Sequence, residues 1–420
     1  MKVIHVISAD KGGGAARATV DINNALNKAG INSDVLVQKK FSFDKHIHTT
    51  TKTIIQRIHF FFRFWFDYIL ILFFTKQTRG RFSFPIWGIN LSKESLIKEA
   101  DIIHLHWINQ GYFSIKTFKK LARLNKPIVW TLHDMWAFTG GCHYSGGCAK
   151  YISECKNCPS LKFNFGNDFS NKIFLDKILT YKSLDINIVT CSKWLADEAK
   201  KSYLFQNKKI TTIPNPIDPG IYKPVDKNIA REKLGLPKNK LLILFGTMNL
   251  KETRKGFVYL KKALQTINHD LKEKTELFVF GSSNAKDLDD INLKANFLGR
   301  ISETDKLVYC YNAADVFVSP SIEDNLPNTV MESLSCGIPV VAFNIGGMPD
   351  MIDHKTNGYL AEPGDHISLA EGILWIIQNQ EKKEMLSLNA RKKVLENFIP
   401  EKIADMYLTF YKSLAQPYYL

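Results

Sequence analysis

Apolar residues fall in short blocks separated by glycine-rich or polar turns. Val3 to Ile7 is one such block; the glycine loop Lys11 to Arg17 (KGGGAAR) follows, and Val20, Ile22 and Leu26 then recur at helical spacing up to Gly30. A second strand begins at Asp34 to Val37, so the chain opens as strand, helix, strand. Further strands are predicted at Asp101 to Trp107, at Ile128 to Leu132 and at Asp185 to Cys191, the last leading into Ser192 as cap of a helix over 194–201. In the second half, Leu241 to Phe245 precedes a basic glycine-bounded loop, Gly246 to Gly256, and a helix over 257–267. Glu276 to Gly281 and Asn312 to Pro320 repeat the strand pattern. From Ser319 to Asp350 the chain reads as strand end, acidic loop, short helix, buried strand and glycine turn. Pro327 suits the first turn of that helix, Val330 and Leu334 lie one turn apart, and Gly337 stops it. Ile338 to Phe343 is continuously apolar, as in a strand covered on both faces of a parallel sheet.

These alternations predict an α/β protein of two doubly wound, Rossmann-like parallel-sheet domains. The proline-rich stretch Ile210 to Pro224 breaks the periodicity and is the best boundary. It gives an N-terminal domain over 1–215, a second over 216–397, and an amphipathic terminal segment over 398–420. A length of 420 residues suits two domains.

Ile54 to Phe74 (IIQRIHFFFRFWFDYILILFF) departs from this rhythm. It is apolar and aromatic nearly all round, yet Arg57, His59, Arg63 and Asp67 interrupt it, and charges near a bilayer centre are costly. The expectation is a helix lying in a membrane interface; a buried helix and a true span are the alternatives. Lys39, Lys40, Lys45, Lys52, Lys76, Arg79 and Arg81 flank it and would draw it to anionic lipid. The whole chain carries 56 Lys and Arg against 41 Asp and Glu, a formal charge of +15, which suits an anionic partner. Nucleic acid is disfavoured, because no helix-turn-helix, zinc-finger or aromatic RNA-binding signature is present and the basic residues are dispersed. The N-terminal MKVIHVISADKGGG reads as a first strand, not a signal peptide, and seven cysteines, an odd number, fit a reducing compartment; a cytoplasmic location is expected.

Several residues carry candidate chemistry. The helix after Pro327 presents unpaired N–H groups near Asn328 and Thr329, a site for phosphate. The nearby acids Glu323, Asp324 and Glu332 do not suit a phosphate and would instead accept sugar hydroxyls, or serve only as first-turn acids. Arg254 and Lys255 stand beside a helix start, poised for a diphosphate. His133, at a strand end, points into a ligand crevice; His106 and Trp107 are plausible acceptor contacts. The glycine loop lacks the Gly-x-Gly-x-x-Gly fingerprint, which argues against a nicotinamide-dependent oxidoreductase. Cys142, Cys148, Cys155 and Cys158 could hold a structural zinc, with His143 a possible substitute ligand; free thiols and redox-sensitive disulfides are the alternatives.

The spacing of Asp324 and Glu332, eight positions apart, together with PNTVMESLSCGIPVVAFNIGG, resembles the family-4 retaining glycosyltransferases. The family usually has Glu at the first acid; here either Glu323 or Asp324 takes that place. The resemblance implies the GT-B architecture, two such domains facing across a cleft, with the terminal helix crossing back to the first. It implies that the first acid holds the donor sugar, Glu332 the ribose, and the backbone at Leu298 and Gly299 the base of a UDP- or GDP-sugar. It places Gly13 and Gly14 near the leaving phosphate and His133 beside the donor sugar. The implied activity is sugar transfer with retention to a glycan or lipid-linked acceptor in surface polysaccharide biosynthesis, at the inner face of the cell membrane. Lys255, Arg254 and the helix N-terminus would stabilise the departing diphosphate, so no catalytic metal is expected. A non-catalytic sugar-nucleotide-binding or membrane scaffold protein is the alternative.

Overall fold

In a computed structural model the chain is described throughout except at residues 77–80, 183, 268, 283–287, 289, 290, 292, 379 and 416–420. Arg79 and the end of the predicted terminal segment therefore lie outside the described residues. The chain divides into two compact units. One holds Met1–Pro216 together with Pro400–Leu420, and the other holds Ile217–Ile399.

The first unit is built on a seven-stranded parallel sheet. Its strands are β1 (Lys2–Ala9), β2 (Asn32–Lys39), β3 (Ile47–Thr49), β4 (Ile102–Leu105), β5 (Ile128–Leu132), β6 (Ile186–Thr190) and β7 (Ile210–Thr212), in the order β3-β2-β1-β4-β5-β6-β7. The central β4 and β5 are buried at every position, as their mainly apolar sequences suit, and their polar members His104 and Thr131 bond to each other inside at 2.7 Å. Helix Gly14–Lys28 packs on one face with helix Pro400–Ala415, through Ile22, Leu26, Ile403, Tyr407 and Tyr411. The helix begins at Gly14, four residues before the predicted start at 18, because the glycine loop is shorter than its composition suggests.

The second unit holds a six-stranded parallel sheet in the order β10-β9-β8-β11-β12-β13. The strands are β8 (Leu241–Asn249), β9 (Thr275–Ser282), β10 (Lys294–Phe297), β11 (Val316–Ser319), β12 (Val340–Phe343) and β13 (Gly358–Ala361). Its core gathers Ile243, Phe245, Leu277, Val318, Val341 and Phe343 with the inner faces of helices Phe257–Gln265 and His366–Gln378. A buried ion cluster closes the sheet's N-terminal side. Asp315 takes Arg231 Nη2 at 2.9 Å, Lys227 Nζ at 2.8 Å and the Leu242 N–H at 2.8 Å.

Residues 54–74 form one helix, capped by Thr53, whose side chain accepts from Gln56 N. Asp67 is its only buried residue. Arg63 faces the unit, donating to Gly111 O at 2.9 Å and Gln38 Oε1 at 3.1 Å. Ile54, Ile55, Phe62 and Phe73 are 76%, 68%, 61% and 67% exposed, and Arg57 and His59 are exposed with them, while Arg63 and Asp67 face the unit beside Leu70, Ile71 and Phe74. It is thus not a buried core helix, and no described helix is long and apolar enough to cross a membrane.

Candidate active site

The candidate residues fall in two sets, one on each unit. In the second unit, β8 ends in a loop that closes as a 3₁₀ turn, Thr253–Lys255, and Gly256 then starts the next helix. Gly256 has φ 69°, and a Cβ there would run into Pro320 O, so only glycine allows this loop to touch the segment leaving β11. The Ile322 N–H donates to Arg254 O at 2.9 Å and stitches the two loops together.

That seam fixes the charged groups. Lys255 Nζ lies 2.7 Å from Asp324 Oδ2, and Arg254 Nη1 lies 3.1 Å from Asp324 Oδ1. Arg254 also donates to Glu323 O at 2.7 Å and, through Nη2, to Glu252 Oε1 at 2.7 Å. Of the two adjacent acids, Asp324 therefore offers its carboxylate to the cations, while Glu323 offers its backbone carbonyl. Asp324 is 6% exposed. Burial pushes its carboxyl up, but Lys255 and Arg254 outweigh that and hold it well below the usual carboxylate range. The glycine turn after β12 reaches the same loop, where the Gly347 N–H donates to Asp324 O at 3.1 Å and a Cβ on Gly346 would run into that oxygen.

Helix Asn328–Ser335 follows with Pro327 at its cap, which makes no side-chain capping bond, and Asn328 and Thr329 open its first turn. Glu332 points the other way. It is 1% exposed, and the Tyr311 hydroxyl donates to its Oε2 at 2.6 Å. The structure thus gathers Asp324, Arg254 and Lys255 and sets Glu332 on the inward face of the next helix. At the neighbouring strand ends, the Leu298 N–H donates to Val279 O at 2.8 Å and Gly281 N–H to Gly299 O at 2.9 Å, laying the 298–299 backbone along the end of β9. These loops all leave the C-terminal ends of parallel strands, where ligands of such sheets bind.

In the first unit, the helix Gly14–Lys28 has Gly13 as its cap and no side-chain capping bond. Nothing lies within 4 Å of a Cβ built on Gly12 or Gly13, so space stands open above this N-terminus. His133 ends β5, with Nε2 3.1 Å from His106 Nδ1. His106 Nε2 is in turn 2.8 Å from His5 Nδ1. Burial lowers His133 to about 4, so its imidazole is neutral at neutral pH. The expectation that His106 contacts an acceptor is not met: it is 2% exposed and wedged between two other imidazoles. Trp107 is partly exposed, its indole N–H donating to Asp134 Oδ2 at 3.0 Å. His143 Nδ1 lies 2.6 Å from the same Asp134 oxygen and its Nε2 2.9 Å from Ser83 Oγ, so it belongs to this cluster.

Sequence reasoning missed His5 and Tyr311. His5 pairs in register with His104, and alternation along β4 brings His106 to the same face, but the register is set by strand pairing. Tyr311 lies in helix Thr304–Ala313, whose apolar pattern gives no hint that its hydroxyl meets an acid.

Comparison with known proteins identifies the family. Residues 12–220 match the model for Glycosyltransferase Family 4, and residues 226–393 match that for Glycosyl transferases group 1. The chain belongs to the glycosyltransferases that join these two domains, and its fold is GT-B. A protein of Escherichia coli K12 named WcaC and assigned as a colanic acid biosynthesis glycosyl transferase is 26% identical over 314 residues, 72% of this chain and 73% of that one. The Escherichia coli UDP-Gal:alpha-D-GlcNAc-diphosphoundecaprenol alpha-1,3-galactosyltransferase is 27% identical over 250 residues, 55% of this chain and 64% of that one. HepE of Anabaena, solved in complex with UDP and glucose, shares the fold with a TM-score of 0.64 and 16% identity, over 98% of this chain and 100% of that one.

Proposed function

We propose that this glycosyltransferase moves a hexose from a UDP- or GDP-sugar to a lipid-linked or oligosaccharide acceptor, with retention, in surface polysaccharide biosynthesis. The observation that carries the reading is the buried Asp324 carboxylate shared by two consecutive cations, Arg254 and Lys255, in a glycine-tight seam in the loop that leads to helix Asn328–Ser335. Without a ligand the cations are balanced by Asp324 and Glu252. A diphosphate arriving over Asn328 and Thr329 gives Lys255 a new acceptor. Asp324, released from that bond, turns an oxygen to the sugar hydroxyls. As the glycosidic bond breaks, charge builds on the diphosphate, and the fixed cations and helix N–H groups meet it already oriented. The backbone of Leu298 and Gly299 takes the base, and Glu332 reaches the ribose by leaving Tyr311. On the first unit, neutral His133 can bond a sugar hydroxyl, and the open loop at Gly13 and Gly14 leaves room for a phosphate. UDP in the HepE complex and the lipid-linked acceptor of the galactosyltransferase support the partners.

The outward apolar face of the 54–74 helix supports peripheral attachment to a membrane. Phe and Ile side chains insert, while the surrounding lysines meet anionic headgroups. A cytoplasmic protein so held faces a lipid-linked acceptor. The test is a panel of labelled UDP- and GDP-sugars incubated with purified protein and lipid extract. One donor should turn over, its product should keep the donor's anomeric configuration by NMR, and Asp324→Ala should abolish transfer. Binding to anionic vesicles should survive that substitution and fall in Phe62→Asp. Absence of turnover with every donor would sink the catalytic reading; equal binding to neutral and anionic vesicles would sink the attachment.

A further inference from the structure

Between β5 and helix Phe169–Tyr181 the chain runs from 139 to 168 with only one short 3₁₀ turn, Lys150–Ile152. Connections of that length in a packed unit are uncommon unless something ties them down. The stretch carries four of the seven cysteines, Cys142, Cys148, Cys155 and Cys158.

The second pair sits in a prebuilt turn. The Cys158 N–H donates to Asp168 Oδ2 at 2.6 Å, and Asp168 Oδ1 caps the following helix at Ser170 N. Asn171 Nδ2 donates to Cys155 O at 3.1 Å, and Asn157, between the two cysteines, takes a left-handed φ of 48°. On the sulfur side, the Gly140 N–H donates to Cys155 Sγ at 3.2 Å, the kind of bond that steadies a metal thiolate. The first pair is brought opposite by glycines. A Cβ on Gly140 would sit 2.8 Å from Cys155 Cβ, and one on Gly141 would run into the Phe82 ring, so this backbone presses in only because both side chains are missing. Gly146 and Gly147, both at positive φ, turn the chain before Cys148. Cys142 packs against the apolar cluster that contains Cys158.

Beside them stands a buried cation. Lys177 is 0% exposed, donates to the Trp136 and Thr139 carbonyls, and lies 4.0 Å from the Trp136 ring centroid. Cys155, Cys142 and Asp134 all act on it, and burial keeps the two thiols protonated. A wholly buried ammonium calls for a counter-charge, which these sulfurs supply only once they are thiolates.

We propose that Cys142, Cys148, Cys155 and Cys158 hold one structural zinc ion, whose net double negative tetrathiolate is partly neutralised by Lys177. Binding forms four Zn–S bonds and releases four thiol protons, with no change of oxidation state. The sulfurs stand wider apart than coordination requires. Among the described residues the group already within 4.8 Å is His5, His104 and His106. Five of those six ring nitrogens are hydrogen-bonded, leaving His5 Nε2, so a metal there must break a network. At the thiols it completes one.

The test is metal analysis of the full-length protein, purified under reducing conditions without chelator. One zinc per chain is expected. Cys158→Ser should lower that at least tenfold, and Cys310→Ala, in the other unit, should leave it unchanged. Cobalt(II) in place of zinc should show the intense visible bands and near-ultraviolet charge transfer of a tetrahedral thiolate site. A wild-type protein that carries no zinc, and takes up none when it is added, overturns the proposal even if Cys158→Ser fails to fold. So does zinc that persists in Cys158→Ser and is lost in His104→Asn.

Discussion

Lys255→Met keeps the length and bulk of the side chain and removes only the ammonium. The structure bounds the folding cost. Asp324 retains Arg254 Nη1 at 3.1 Å, Ser321 Oγ at 3.3 Å and its contact with Asn325 N at 3.1 Å. One charge-assisted bond is lost, about 2 kcal/mol, and not the ~3–5 kcal/mol of a buried charge stripped of its partner. For a unit of this size that is a fall in Tm of about 4–8 °C, so the variant remains folded at 25 °C. Turnover should suffer more. A fixed donor aimed at charge that develops during reaction contributes about 10²–10³-fold to kcat. Initial rates of donor consumption at saturating donor, with a thermal melt on the same preparation, separate the two effects. A folded Lys255→Met protein whose kcat stays within about threefold of wild type would refute the assignment of Lys255 to the leaving diphosphate.

Two other outcomes follow from the same contacts. Burial lifts the Asp67 carboxyl to about 7, against lowering by the Phe84 backbone and Arg81. Its folded pKa lies above its unfolded value, so the acid's burial costs nothing below pH ~4, costs progressively more up to pH ~7, and is constant above that. Asp67→Asn should therefore gain on the wild type as pH rises from 5 to 8, by about 3 kcal/mol at most, in thermal melts without lipid; parallel melting curves at the two pH values would contradict it. Gly256→Ala puts a methyl against Pro320 O at a left-handed φ. It should cost about 2 kcal/mol or more by melting and open the Lys255–Asp324 seam, seen as lost turnover; unchanged melting and turnover would show the two loops are not held as described.

What the sequence disclosed and what it hid follow from the range of the interactions. Val3 to Ile7, Ile128 to Leu132 and Ile338 to Phe343 announce themselves because strands covered on both faces are apolar at nearly every position. The three-residue edge strands β3 and β7 carry no such run and went unseen, as did β13, which begins at Gly358. The acids and cations of the site were legible as types, through their loops and a family resemblance. Their pairing was not: Lys255 and Asp324 are 69 positions apart, and only packing of Gly256 on Pro320 brings them together. Glu332 shows the converse. Its spacing from Asp324 suggests a shared role, yet helical rotation turns it to Tyr311. The 54–74 helix was readable as unusual because its charges break an apolar run, but that Arg63 and Asp67 are the inward groups depends on Gly111 and Gln38 lying beneath it.

The helix Pro400–Ala415 completes the unit to which Met1–Pro216 belongs, placing Tyr411 2.6 Å from His104 and Tyr407 3.1 Å from Thr131. On the ribosome this reverses the usual order of maturation. The half made first must wait, with part of one face of its sheet uncovered, until residues 400–415 emerge, while the half made second can finish before it. A premature stop near residue 399 would therefore damage the beginning of the protein more than the part next to the break.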